Sequence, residues 1–68
     1  MIFYGTIFLA NRFRYQLACD DGRNYSLLAG TRTLNFAPFN DGGKTRVIVH
    51  GEYDETIGTL RVESIQKA

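Results

Sequence analysis

The tripeptide Asp20-Asp21-Gly22 lies between two runs, Tyr15-Gln16-Leu17-Ala18-Cys19 and Tyr25-Ser26-Leu27, in which apolar residues recur at every second position. That period is the pattern of a strand buried on one face, and Asp-Gly between two such runs marks a hairpin. Two turns fit the spacing. A two-residue turn at Asp21-Gly22 pairs Asp20 with Arg23 and sets Leu17 against Ser26. A three-residue turn, with Gly22 in the left-handed conformation as a bulge, pairs Cys19 with Arg23, Leu17 with Tyr25 and Tyr15 with Leu27. A slip of one residue turns every side chain to the other face. Only the three-residue turn gathers Tyr15, Leu17, Cys19, Tyr25 and Leu27 on one side, so this register is expected.

The same test applies one hairpin earlier. A three-residue loop at Asn11-Arg12-Phe13 pairs Leu9 with Tyr15, Ile7 with Leu17 and Gly5 with Cys19. The first strand, Ile2 to Ala10, is apolar on both faces: Phe3, Ile7 and Leu9 on one, Ile2, Tyr4 and Phe8 on the other. Gly5 inside it predicts a bend that lets one strand serve two sheet surfaces, which is how a sheet closes into a barrel. Further on, Arg46 to Tyr53 alternates with Val47, Val49 and Tyr53 inward, and Thr59 to Glu63 with Leu60 and Val62 inward. A four-residue connection, Asp54 to Ile57, would pair Val49 with Val62 and Gly51 with Leu60. Ile65 then falls on the wrong parity, which predicts a bulge near Ser64 that turns it inward. Between the hairpins, Gly30 to Gly43 carries Leu34, Phe36 and Phe39, with Pro38 forbidding a regular helix through its middle. The expectation is a crossover with one helical turn, or a short strand at Thr33 to Phe36, whose aromatics plug one end of the barrel.

Three meandering strands, a crossover and a hairpin therefore account for the chain, and at 68 residues it is expected to be a single domain, 1–68. Tyr4-Gly5-Thr6-Ile7, the hairpin Tyr15 to Gly22, Tyr25-Ser26-Leu27-Leu28, Val47-Ile48-Val49-His50-Gly51-Glu52-Tyr53 and Leu60-Arg61-Val62-Glu63-Ser64-Ile65 together resemble a small bacterial-type OB-fold domain. The match is to a Gly-Thr start, an Asp-Gly hairpin, a V-x-V-x-G strand and a closing L-x-V-x-S-I. The fold class expected is thus all-β, a five-stranded OB-like barrel. The short crossover departs from the helix many OB-folds carry there, and it keeps an SH3-like barrel as the alternative.

The resemblance implies a binding face on the second and third strands, flanked by loops. Around it the candidate ligand-binding residues are Arg12, Phe13, Arg14, Arg23 and Tyr25. An aromatic bracketed by two guanidiniums has the chemistry to stack a base and hold phosphates, as single-strand binding requires. The competing reading has Phe13 capping the barrel end and the arginines simply solvated. A formal charge of +1 and a face poor in aromatics weigh against a strongly electrostatic nucleic-acid binder. The second expectation is self-assembly into a homo-oligomer through Ile2, Tyr4, Phe8 and Ile48, apolar residues on the outer face of the first and fourth strands.

Other chemistry is weaker. Asp20, Asp21, Glu52, Asp54 and Glu55 suit turns better than acid–base work. Cys19 points inward as a small hydrophobe with no base at a fixed spacing, and His50 points outward. Gly42-Gly43-Lys44-Thr45 lacks the upstream glycine of a phosphate loop. One Cys and one His do not make a zinc site, so no enzyme, metal or cofactor is expected. A single Cys also excludes an intrachain disulfide, which fits a cytoplasmic location. The start has no basic segment of a signal peptide, and the apolar run Ile7 to Ala10 is far short of a membrane span.

Overall fold

The computed structural model describes residues 1–12 and 14–68. Five strands, β1 (Ile2–Asn11), β2 (Arg14–Cys19), β3 (Asn24–Ala29), β4 (Arg46–Asp54) and β5 (Thr59–Lys67), form a closed barrel in the order β1-β2-β3-β5-β4. All neighbours are antiparallel except β3 and β5, which run parallel. At this level the all-β, five-stranded, OB-like barrel is the architecture observed. Closure leaves no strand edge for another chain to extend, so recognition falls to outer faces, barrel ends and loops.

The first two hairpins form in the expected register. Cys19 N–H donates to the Arg23 carbonyl at 2.8 Å, Leu17 faces Tyr25, and Gly22 takes φ +91°. In the first hairpin Gly5 faces Cys19, Ile7 faces Leu17 and Leu9 faces Tyr15. Past Leu9 the ladder bulges and Asn11 pairs with Arg14, so Asn11 ends the strand instead of opening the loop. Leu9, expected inside, lies at the barrel rim and is 43% exposed. The turn at Gly5 is confirmed by its partners: residues 2–6 of β1 pair with β4, residues 5–11 with β2, and Gly5 and Thr6 alone join both ladders.

The last hairpin corrects the sequence-based register by two residues. Gly51 faces Val62 and Tyr53 faces Leu60, with the loop at residues 55–58 instead of 54–57. Gly58, at φ +63°, closes that loop, and Asp54 Oδ1 accepts from Thr56 N–H at 2.9 Å. A two-residue shift keeps every side chain on its face, so alternation cannot separate the two registers; the left-handed glycine does. The bulge near Ser64 is present. His50 faces Ser64 while Gly51 faces Val62, which skips Glu63 and brings Ile65 opposite Val49 against the core. Tyr53, expected inward, sits at the strand's end and is 44% exposed.

Ile7, Leu17, Val47, Val49, Leu60 and Val62 are fully buried, joined by Leu27 and Phe36. The crossover makes one short 3-10 turn, Ala37–Phe39, with Pro38 in it, and no strand at Thr33 to Phe36. Phe36 reaches the core and meets Tyr15 at a ring distance of 5.9 Å, with Leu34 and Phe39 packed beside it. The crossover aromatics thus plug one barrel end, as the sequence implied.

Candidate functional site

The four described residues of the ligand site grouped from sequence, Arg12, Arg14, Arg23 and Tyr25, occupy two ends of the β2–β3 pair. Arg14 opens β2, whereas Arg23 lies opposite Cys19 at its far end. Five strand steps separate those ends, about 17 Å at ~3.3 Å per residue. Arg12 is exposed in the β1–β2 turn beside Arg14, and Phe13 lies outside the described residues. Tyr25 packs against the core, two residues after Arg23.

At the Arg14 end, a groove of about 250 Å³ is lined by Arg14, Leu27, Leu28, Ile57 and Thr59. It lies where the β4–β5 loop approaches the start of β2. Leu28 and Ile57 expose 44% and 53% of their surface. On its other side Leu28 is paired with Arg61, whose guanidinium is 3.6 Å from the Asp54 carboxylate. Stretches 1–19 and 22–40 contain no acid, so Arg12, Arg14 and Arg32 stand in carboxylate-free sequence; the nearest acids by sequence to Ile57 are Glu55 of its own loop and Asp54 at the end of β4. Sequence reasoning placed Arg12 and Arg14 near this face but missed Ile57 and Arg61 as their neighbours. Those two arrive through the parallel β3–β5 contact, which no local pattern encodes.

At the Arg23 end the barrel mouth is open. Tyr25 makes edge-to-face contacts with Phe3 (centroids 5.4 Å apart) and with Tyr53 (5.6 Å). Together with Met1, Arg23 and Asn24 these rings line a cleft of about 540 Å³. Interaction with the Tyr25 side chain is the main reason the Arg23 guanidinium is held even more firmly charged than usual.

The apolar outer residues come together in part. Tyr4 faces Ile48 and Ile2 faces His50 across β1–β4, while Phe8 pairs with Gln16 on the other ladder. Ile2 and Tyr4 are 52% and 47% exposed; Phe8 and Ile48 are half-buried.

The aspartates serve turns and ion pairs. Asp20 is bound by Arg46, Asp21 Oδ1 accepts from Arg23 N–H at 3.0 Å, and Asp41 accepts from the Lys44 and Thr45 amides at 2.9 and 3.0 Å and from the Thr45 hydroxyl. Burial pushes the Cys19 thiol pKa up, and the charges of Asp21 and Asp20 push it further, against a smaller opposing effect of Arg23. Such a thiol is a poor nucleophile. Among the described residues no three His, Cys, Asp or Glu side chains converge as a metal site, and no helix is long and apolar enough to cross a membrane. In comparisons with known proteins, no family model, no curated protein and no solved structure matches this chain.

Proposed function

We propose that this barrel is a non-enzymatic binding module for single-stranded nucleic acid or a similar anionic oligomer, held on the outer face of β2 and β3. One observation carries the reading: Arg14 shares a groove with the exposed Leu28 and Ile57, between the β1–β2 turn and the β4–β5 loop. Single-strand binding combines cations that track a phosphate backbone with side chains against which the bases pack, and in this groove the aliphatic Leu28 and Ile57 stand where aromatic rings commonly serve. Arg12, exposed in the adjoining turn, and Arg61, paired across from Leu28 and held beside Asp54, extend the cationic side. Assignment to the small bacterial-type OB-fold domains rests on the sequence resemblance, and a cytoplasmic location is supported by the lone free Cys19.

The test is titration of a labelled oligonucleotide at low and high salt. With up to three cations engaged, log K is expected to fall with log salt at a slope of about −2, and each Arg12→Gln or Arg14→Gln change should flatten it by about 0.7. Absence of binding at low salt, or unchanged binding by Arg14→Gln, refutes the reading.

A second reading is favoured by the pairing of Tyr4 with Ile48 beside the exposed Ile2. There the outer face of β1 and β4, with Phe8 at its margin, joins copies into a homo-oligomer and removes apolar surface from water. Light scattering at two concentrations checks it. A mass that rises with concentration and returns to the monomer in Tyr4→Ser supports it, and a monomer throughout refutes it.

A further inference from the structure

We infer that the open barrel mouth at Phe3, Tyr25 and Tyr53 is a separate site for a small planar aromatic anion, with Arg23 as the anion's partner. This goes beyond the proposed oligonucleotide groove, which lies at the Arg14 end of β2. The two barrel ends differ in a way that the core alone does not require. One is covered by the crossover, which leaves Phe36 only 7% exposed; among the described residues no comparable segment covers the other, and Tyr53 is 44% exposed there. The cleft's volume, about 540 Å³, is in the range of small-molecule sites, and the other two grooves, at about 200 and 250 Å³, fall below it.

The lining has the matching chemistry. Both ring contacts in the cluster are tilted at 64°, so none of the three rings is stacked in parallel with another, and a flat ligand can add such a contact on the exposed Tyr53. Arg23 is exposed and adjoins Tyr25, and among the described residues it forms no ion pair. Two acids around this end have other partners, since Asp20 binds Arg46 and Glu52 binds the Met1 ammonium at 3.2 Å, whereas Asp21 accepts the Arg23 amide and its charge also acts on the guanidinium. The Arg23 guanidinium is in contact with the Tyr25 side chain, and of its five N–H donors the others remain for a carboxylate, sulfonate or phosphate. Asn24, exposed in the same cleft, supplies an amide for the polar edge of a ring.

The experiment follows backbone amide shifts by nuclear magnetic resonance while adenosine monophosphate, adenosine, inorganic phosphate and naphthalene sulfonate are added in turn. The two aromatic anions should shift the amides of Phe3, Arg23, Asn24, Tyr25 and Tyr53, and bind more tightly than adenosine or phosphate alone. Arg23→Gln should weaken both by about tenfold, the worth of one charge-assisted hydrogen bond, and leave adenosine unchanged. Tyr53→Leu should weaken all three ring probes, and Arg14→Gln should affect none. The inference is overturned if neither aromatic anion shifts the mouth residues, if the shifts centre on Arg14 and Ile57, or if Arg23→Gln binds both as the parent does. Loss of oligonucleotide binding in Arg14→Gln with the mouth titration intact separates the two sites.

Discussion

Replacing Gly5 by alanine should cost this barrel much of its stability. Gly5 stands where β1 passes from β4 to β2, and it is buried and paired on both sides. A Cβ built there lies 2.1 Å from the Ala18 carbonyl oxygen and 2.9 Å from the Cys19 Cα. The first distance is more than ~1 Å inside van der Waals contact. The obstacle is backbone held in a ladder, so no side-chain rotation relieves it. Overpacking a well-filled interior costs about 1–3 kcal/mol and more where the backbone must move, so we expect at least ~3 kcal/mol. A chain of 68 residues has about 3–10 kcal/mol in total, from ~0.05–0.15 kcal/mol per residue. The assay is urea unfolding followed by circular dichroism and tyrosine fluorescence, which no tryptophan obscures. With a slope near ~1 kcal/mol/M for a small domain, the midpoint should fall by about 3 M, or the variant should be unfolded at the start. Gly22→Ala is the internal control. It has φ +91° but nothing within 4 Å of its Cβ, so only backbone strain of about 1 kcal/mol is expected, a shift near ~1 M. A midpoint for Gly5→Ala within ~0.5 M of the parent, or a larger loss in Gly22→Ala, would refute the reasoning.

Three further outcomes follow from the same structure. Leu17→Ala, at a fully buried site, should lose about 2–5 kcal/mol in urea unfolding, while Leu28→Ala on the outer face should stay within ~0.5 kcal/mol; equal losses would contradict the assigned interior. Hydrogen bonds from the Thr45 hydroxyl and amide, and then from the Lys44 amide, hold the Asp41 carboxyl below its ordinary pKa. The depressed value means the turn is supported above the unfolded Asp pKa of ~3.9 and loses that support as pH falls through the lower folded value. The Thr45 amide resonance should therefore hold steady from neutral pH down to ~4 and titrate only below it, and a midpoint above ~4 counts against the contact. Cys19, half-buried with its pKa raised by burial and by Asp21 and Asp20, should react with a thiol reagent more slowly in the folded chain than in urea; a faster reaction in the folded chain contradicts that environment.

How far the sequence reaches can be judged from particular residues. Leu17 opposite Tyr25 was legible because one-residue slips are penalised by exposing a whole apolar face, and because Gly22 accepts the left-handed turn that this register needs. The bend at Gly5 and the bulge that brings Ile65 inward were legible for the same reason: parity breaks in the alternation have to be repaired in the backbone. The separation of Arg14 from Arg23 was also countable along β2, once its pairing with β3 was set.

Alternation by itself decided which face of each strand is inside, and with it the buried set Ile7, Leu17, Leu27, Val47, Val49, Leu60 and Val62. It could not decide the β4–β5 register, since pairings two residues apart bury the same side chains, and the choice fell to Gly58 at φ +63°. Nor could it bring Ile57 and Arg61 to Leu28 or leave Tyr53 open at the mouth. Those neighbours depend on β5 lying parallel to β3, a contact between segments about thirty residues apart that only barrel closure creates, and local preference carries no information about it.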